Sequence, residues 1–289
     1  MIIDKPTVWA ACLDGAAFFI PLSHDGEYTA LRSGYDFQQE TDEEWKRRLC
    51  MTAGRIHSIE SMGLVDGPGI RTVIFLQGCS LRCRFCHNPD TWEFDGGEIT
   101  EPEQLVQKIL RFRPYFRDNG GVTFSGGEPL MQPEFLAETL RLCKEEGIHT
   151  CIDTAGCGTG SYDEILKYTD LVLLDIKQID PEDYRDMTGK SMEHFNCFLQ
   201  ALKEHKTPVW IRQVVIPGMT DSRDYMQNLR DYISTIPNIQ KVELLPYHLL
   251  GTNKYEVMGI PYSLQDVPAM DKDKVADMQK EFFGGYDHV

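Results

Sequence analysis

From about residue 70 onward the chain repeats one rhythm, and that rhythm limits its fold more than any other feature. A short, β-branched apolar run leads into a polar or Gly-rich turn and then into an amphipathic helical pattern. The runs are TVIFLQG, GVTFSGG, HTCIDT, LVLLDIK, PVWIRQVVIP and KVELLPY. Helix-like stretches lie between them at residues 101–112, 133–146, 161–167, 192–204 and 223–236. The runs are almost continuously apolar, as strands must be when helices cover both faces of their sheet. Strand and helix alternating at this spacing imply right-handed crossovers and a parallel sheet. Six units fall short of the eight that close an ordinary barrel of about 250 residues. The expected fold is therefore α/β, a partial, open (β/α)6 barrel with its site at the C-terminal ends of the strands.

The first fifty residues do not share the rhythm. DFQQETDEEWKRR reads as a solvated helix or linker, and MTAGRIHSIES, from Met51, reads like the start of a domain. Two parts are expected: residues 1–50, an N-terminal extension that is flexible or the product of an over-long start, and residues 51–289, the core with a C-terminal helix. Apolar content of 42% excludes disorder throughout. A formal charge of -16 argues against nucleic acid as a partner, which would need a basic footprint. The apolar run at residues 8–22 is broken by Asp14 and is too short for a signal or a membrane span, so a cytoplasmic protein is expected.

Nine cysteines are spaced too unevenly for a disulfide framework, and three of them crowd into GCSLRCRFCHNPDTW, at Cys79, Cys83 and Cys86. A C-x3-C-x2-C loop brings three thiolates to one side of a cubane and leaves its fourth iron without a protein ligand. The alternative is zinc, but zinc motifs usually come as two Cys pairs and no second pair exists. Cys143, Cys151, Cys157 and Cys197 are scattered through strand and helix patterns and read as packing residues. Other polar residues also fall at strand ends: Ser125-Gly126-Gly127-Glu128 in SGGEP, Asp153, Asp175, Lys177, Arg212 and His248. Singly each would be an ordinary loop residue; their shared position marks a site. Glycines there let backbone approach a ligand, Asp153 could take an ammonium or a cation, Lys177 suits a carboxylate and His248 a ribose or carboxylate.

The cysteine loop, GGEP, and GRIHSIESMGLVDGPGIRT resemble the radical S-adenosylmethionine superfamily, and within it the glycyl-radical-enzyme activating enzymes. The likeness runs from about Gly54 to the C-terminus, and Asp66-Gly67-Pro68-Gly69-Ile70-Arg71 is similar to the activating enzymes' own signature. It implies a radical SAM barrel holding a [4Fe-4S] cluster on Cys79, Cys83 and Cys86. It also implies S-adenosylmethionine at Phe85, Cys86, His87, Gly126, Gly127, Glu128, Asp153, Asp175, Ile176, Lys177 and His248. A monovalent cation is implied at Asp153 and Asp175, and a peptide grip at Asp66 and Arg212. The implied reaction is reductive cleavage of S-adenosylmethionine, followed by hydrogen abstraction from a partner's glycine by the 5′-deoxyadenosyl radical. The implied partner is a glycyl radical enzyme, pyruvate formate-lyase or a relative, with flavodoxin or ferredoxin as electron donor. Such donors are acidic, so Arg82 and Arg84 are expected to offer them a basic patch. A monomer is expected.

Rival readings are a radical enzyme acting on a small molecule, which GPGIR opposes, and a ferredoxin-like carrier, which would normally use four cysteines. Arg32-Ser33-Gly34-Tyr35 resembles the family's Arg-x-Ser-Gly-Tyr substrate loop with one residue missing. Coincidence among four common residue types is the simpler account; a pseudosubstrate is the alternative.

Overall fold

The computed structural model describes residues 53–286 and two short strands nearer the N-terminus. The chain divides into two units, residues 1–50 and 51–289. In the first, β1 (Trp9–Ala11) and β2 (Ala17–Phe19) pair antiparallel; residues 32–35 and the charge-rich stretch after them lie outside the described residues.

The second unit is built on one eight-stranded sheet. Its strands are β3 (Gly54–Gly63), β4 (Arg71–Leu76), β5 (Glu98–Thr100), β6 (Gly121–Gly126), β7 (His149–Thr154), β8 (Leu171–Asp175), β9 (Val209–Val215) and β10 (Ile239–Pro246). They lie in the order β10-β9-β8-β7-β6-β4-β3-β5. The six from β4 to β10 run parallel and are the six apolar runs of the sequence. Strands β3 and β5 add an antiparallel edge that the rhythm did not announce. The order is linear, with no pairing among the described residues between β10 and the β4 side, so the barrel is open.

Helices α1 (Pro102–Leu110), α2 (Arg113–Phe116), α3 (Pro133–Glu145), α4 (Tyr162–Lys167), α5 (Pro181–Thr188), α6 (Glu193–His205) and α7 (Arg223–Ile233) are interleaved with the strands. Helices α8 (Thr252–Met258) and α9 (Lys272–Phe283) follow β10, and a 3-10 turn (Gly284–Tyr286) ends the described chain. Side chains alternate across each strand, and the two faces have different fates. Ile74, Leu76, Val122, Phe124, Ile152, Val172, Leu174 and Ile211 pack into the main core, against such helix residues as Phe135, Leu136 and Leu140 of α3. Each such side chain contributes about 1.5–3 kcal/mol on burial. The opposite face lines the lumen, whose lower part is closed by Cys151, Leu171, Leu173 and Trp210.

Buried polar side chains fix the open parts of the sheet. The wholly buried guanidinium of Arg71 donates to Thr123 Oγ1 and to the carbonyls of Pro68, Val122 and His149. It thus pins the turn before β4 to β6 and β7. On the free edge of β10, the Gln279 amide of α9 accepts from Leu244 N and donates to Val242 O, each at 2.8 Å. It pairs with the edge as a neighbouring strand would. No helix among the described residues is long and apolar enough to cross a membrane.

Candidate active site

The cysteine loop leaves the C-terminal end of β4 and is fastened on three sides. Gly78 N donates to Thr91 O and Cys79 N to Trp92 O, closing the loop on itself. Arg82 N and Arg84 N donate to the carbonyls of Thr188 and Met187 at the end of α5. From α8, Tyr255 Oη donates to Cys86 O at 3.0 Å, and Lys254 Nζ bonds Asn88 Oδ1 and Asp90 Oδ1. Glycine is required beneath it, since a Cβ on Gly127 would meet the Gly78 carbonyl oxygen at 2.3 Å.

Cys79 and Cys83 are buried with Leu81, Ala155 and Cys157, and Cys86 packs against them. Burial pushes all three loop thiols up, Cys83 to about 12. Thiols this hard to ionise become ligands only when a metal's positive charge replaces the proton. Among the described residues no three His, Cys, Asp or Glu converge closely enough to hold one metal ion. All-sulfur donors gathered on one loop, two buried and one half-buried, fit a cluster with several irons. The structure also brings in Cys157, which sequence spacing had assigned to packing; its Sγ lies 3.5 Å from Ser80 Oγ.

Beside the loop, the ends of β6, β7 and β8 and the middle of β9 supply a charged network. Asp153 accepts from Ser125 Oγ and from Arg212 Nη2, both at 2.8 Å. Asp175 accepts from Arg212 Nε at 3.2 Å and from Lys177 Nζ at 2.8 Å. Two carboxylates thus face two cations, and the group is internally neutral. Burial works against ionisation of Asp175, but Lys177 and Arg212 outweigh it and hold the carboxyl down at about 2. For Asp153 burial prevails over the attraction of Arg212 and the carboxyl is raised. The Lys177 ammonium also stands 5.2 Å from the Phe85 ring, joining the network to the cysteine loop.

The remaining residues fall into place less uniformly. The His87 and His248 rings stack with centroids 4.2 Å apart, and His87 Nε2 lies 3.1 Å from His248 O. Burial, with His248 second, lowers the His87 pKa, favouring the neutral ring. Ile176 is buried and its N donates to Arg212 O; Gly126 takes φ +112° at the end of β6. Glu128 is the exception, because its carboxylate is buried and turned into the protein. It accepts from Thr154 Oγ1, Leu130 N and Ala155 N, so it ties the GGEP turn to the loop after β7. The Asp66 carboxyl is raised, chiefly by burial, while Arg212 draws it the other way; its carbonyl accepts from Thr123 Oγ1. Lys254 and Tyr255, which clamp the cysteine loop, gave no local signal in the sequence.

The model of the Radical SAM superfamily matches residues 73–229, from β4 into α7. The chain belongs to that superfamily. Among curated proteins, this radical SAM chain is 59% identical over 231 residues to the pyruvate formate-lyase-activating enzyme of Clostridium pasteurianum. That match covers 80% of the chain and 97% of the relative. It is 46% identical to the enzyme of the same name from Staphylococcus epidermidis, across 78% of the chain and 94% of the relative. A solved radical SAM methyltransferase from Sphaerobacter thermophilus shares the fold, with TM-score 0.55 at 14% identity over 75% of the chain and 64% of that structure. The cofactors of this radical SAM protein are a [4Fe-4S] cluster and S-adenosylmethionine.

Proposed function

We propose that this radical SAM enzyme activates a glycyl radical enzyme, pyruvate formate-lyase or a close relative, by placing a radical on one backbone glycine. The observation that carries the reading is the loop of three thiols, two buried and one half-buried, set beside an internally neutral, hydrogen-bonded charge network on the neighbouring strands. When bound, the cluster supplies the electron that splits S-adenosylmethionine, and the adenosyl fragment takes a hydrogen atom from the glycine Cα.

Cys79, Cys83 and Cys86 would hold the cluster. Phe85, His87, Gly126, Gly127, Ile176, Lys177 and His248 would line the space for S-adenosylmethionine, with Lys177 free to turn one N–H toward a carboxylate. Glu128 would act at one remove, by fixing the two loops it bridges. Asp153 and Asp175 keep lone pairs beyond those used by Arg212, Lys177 and Ser125, and these would receive a monovalent cation. Asp66 and Arg212 would grip the entering peptide. No side chain needs to act as a general base, because a hydrogen atom moves rather than a proton. Glycine suits the partner's role because it has no side chain to obstruct the approach.

We further assign a flavodoxin or ferredoxin as the electron donor, a monomeric state, a cytoplasmic location, and catalysis to residues 51–289. The test is anaerobic electron paramagnetic resonance on pyruvate formate-lyase mixed with this enzyme, reductant and S-adenosylmethionine. A glycyl doublet is expected. Formation of 5′-deoxyadenosine without a doublet would exclude that partner, and no 5′-deoxyadenosine at all would exclude the reaction.

A further inference from the structure

Trp210 carries a buried polar atom that its packing leaves unsatisfied. It lies two residues before Arg212 on β9, so both side chains point to the lumen. Its neighbours there are Cys151, Leu171 and Leu173, and only 7% of it is exposed. Nevertheless its indole Nε1 is buried with no hydrogen-bond partner among the described residues. A buried N–H left unpaired is costly, and such groups are uncommon in native proteins. The side chains of its cluster are apolar or thiol, and among the described residues none accepts from it.

The neighbourhood points to what would pair with it. Trp210 is in register with Lys241 on β10, and Arg212 with Glu243. Lys241 Nζ stands 4.6 Å from the centre of the Trp210 ring and bonds Glu243 Oε1, and both of these charged side chains are partly exposed. Strand β10 forms one margin of the gap in the open barrel. The indole therefore lies one step below the Arg212 network, behind a flexible lysine, along the margin by which an extended segment could enter. An extended segment brings a carbonyl at every residue, and each needs a donor once it leaves water.

We propose that Trp210 forms the floor of the groove for the glycyl segment and donates its Nε1–H to a backbone carbonyl of that segment, Lys241 moving off the ring as the segment enters. This rests on the activating function proposed above. The probe is a synthetic peptide centred on Ser-Gly-Tyr, with the cluster-loaded enzyme held under anaerobic conditions. Trp210→Phe keeps a flat ring and removes the donor. It is expected to raise the KM for the peptide about five- to tenfold, the size of one ordinary hydrogen bond, with the KM for S-adenosylmethionine unmoved. An active variant whose peptide KM equals that of the wild type overturns the proposal, and would mean that the indole serves packing or a fixed water. Should the variant fail to load its cluster, the wild-type enzyme labelled with 15N at its indoles decides. One indole N–H signal moving downfield on peptide addition supports the contact, and four unmoved signals overturn it. Wild-type enzyme that makes no peptide-dependent 5′-deoxyadenosine would instead overturn the activating function itself.

Discussion

Arg212 is the residue on which the site's electrostatics turn. Its guanidinium is nearly buried and bonds two carboxylates from neighbouring strands, Asp153 and Asp175. Replacing a buried cation by an apolar side chain leaves its partners uncompensated, which typically costs about 3–5 kcal/mol. Arg212→Met should lose stability of that order in urea unfolding at neutral pH. The pH dependence follows from the direction of the shifts. In the parent enzyme Asp175 sits at about 2, below its unfolded value, so its stabilisation is present above the unfolded pKa and vanishes only as pH falls through 2. Without the guanidinium, burial raises the Asp153 carboxyl still further above its unfolded value, whereas Asp175 keeps its Lys177 partner. The Asp153 contribution is then greatest at low pH and declines as pH rises through its folded pKa. The deficit of the variant should therefore be widest near pH 8 and narrow toward pH 5.5; a deficit that widened toward acid would contradict the assignment. The cysteines give a second contrast. Cys157 shares a buried cluster with Cys79 and Cys83 but bonds Ser80. Cys157→Ala should keep the visible absorbance and iron content of the reconstituted enzyme, whereas Cys83→Ala should lose both. Equal loss in the two would give the cluster a fourth thiolate and remove the open iron on which the proposed chemistry depends.

Secondary-structure elements show what the sequence could and could not convey. Each of the six parallel strands was legible because a strand buried on both faces must be apolar at nearly every position, and their helices followed from period and capping. Strand β3 was not, since His57, Ser58, Ile59 and Glu60 alternate between half-buried and exposed and look like a polar segment. Helix α5 was missed although Asp180 caps it, accepting from Glu182 N and Asp183 N, with Pro181 as its first residue; that local signal was available. The positions of Asp153 and Asp175 at strand ends could be read from spacing, whereas Arg212, expected at a strand end, lies in the middle of β9 and is level with Asp175. Their mutual pairing could not, because it depends on the registry of three strands. Trp210 looked like any apolar strand residue until the structure showed its nitrogen without a partner. The Gln279 amide is a case where one side chain decides an element's behaviour. It satisfies one donor and one acceptor on the free edge of β10. Gln279→Ala should cost about 1–2 kcal/mol in urea unfolding. It should also expose an edge able to pair with another chain, seen as concentration-dependent light scattering on warming. A variant as stable and as monodisperse as the parent would show that α9 shields the edge by packing alone.

At the scale of the whole molecule, net charge and local charge make opposite predictions for electron delivery. A chain at -16 repels an acidic donor at long range, so salt should speed cluster reduction. A basic patch near the cluster attracts it, so salt should slow reduction. The structure narrows the patch expected from Arg82 and Arg84. Arg82 lies over the Trp92 ring and donates to the carbonyls of Cys79 and Leu81, so reversing its charge would disturb the cysteine loop as well as the surface. Arg84 reaches outward to the exposed Asp186, with 2.6 Å between Nη1 and Oδ2, and its substitution leaves the loop's own hydrogen bonds in place. Arg84→Glu takes the chain from -16 to -18, a small change in net charge but a complete reversal at that point. If a donor docks there, the variant should be reduced about tenfold more slowly at low ionic strength. The difference should shrink as the Debye length falls from roughly 10 Å at 0.1 M salt to about 3 Å at 1 M. Affinity for S-adenosylmethionine, measured by equilibrium binding, should not change. Stopped-flow reduction by flavodoxin across that salt range separates the cases. Equal rates for parent and variant at every salt concentration would place the donor on another face, and rates that rise with salt in both would mean that net repulsion governs the encounter.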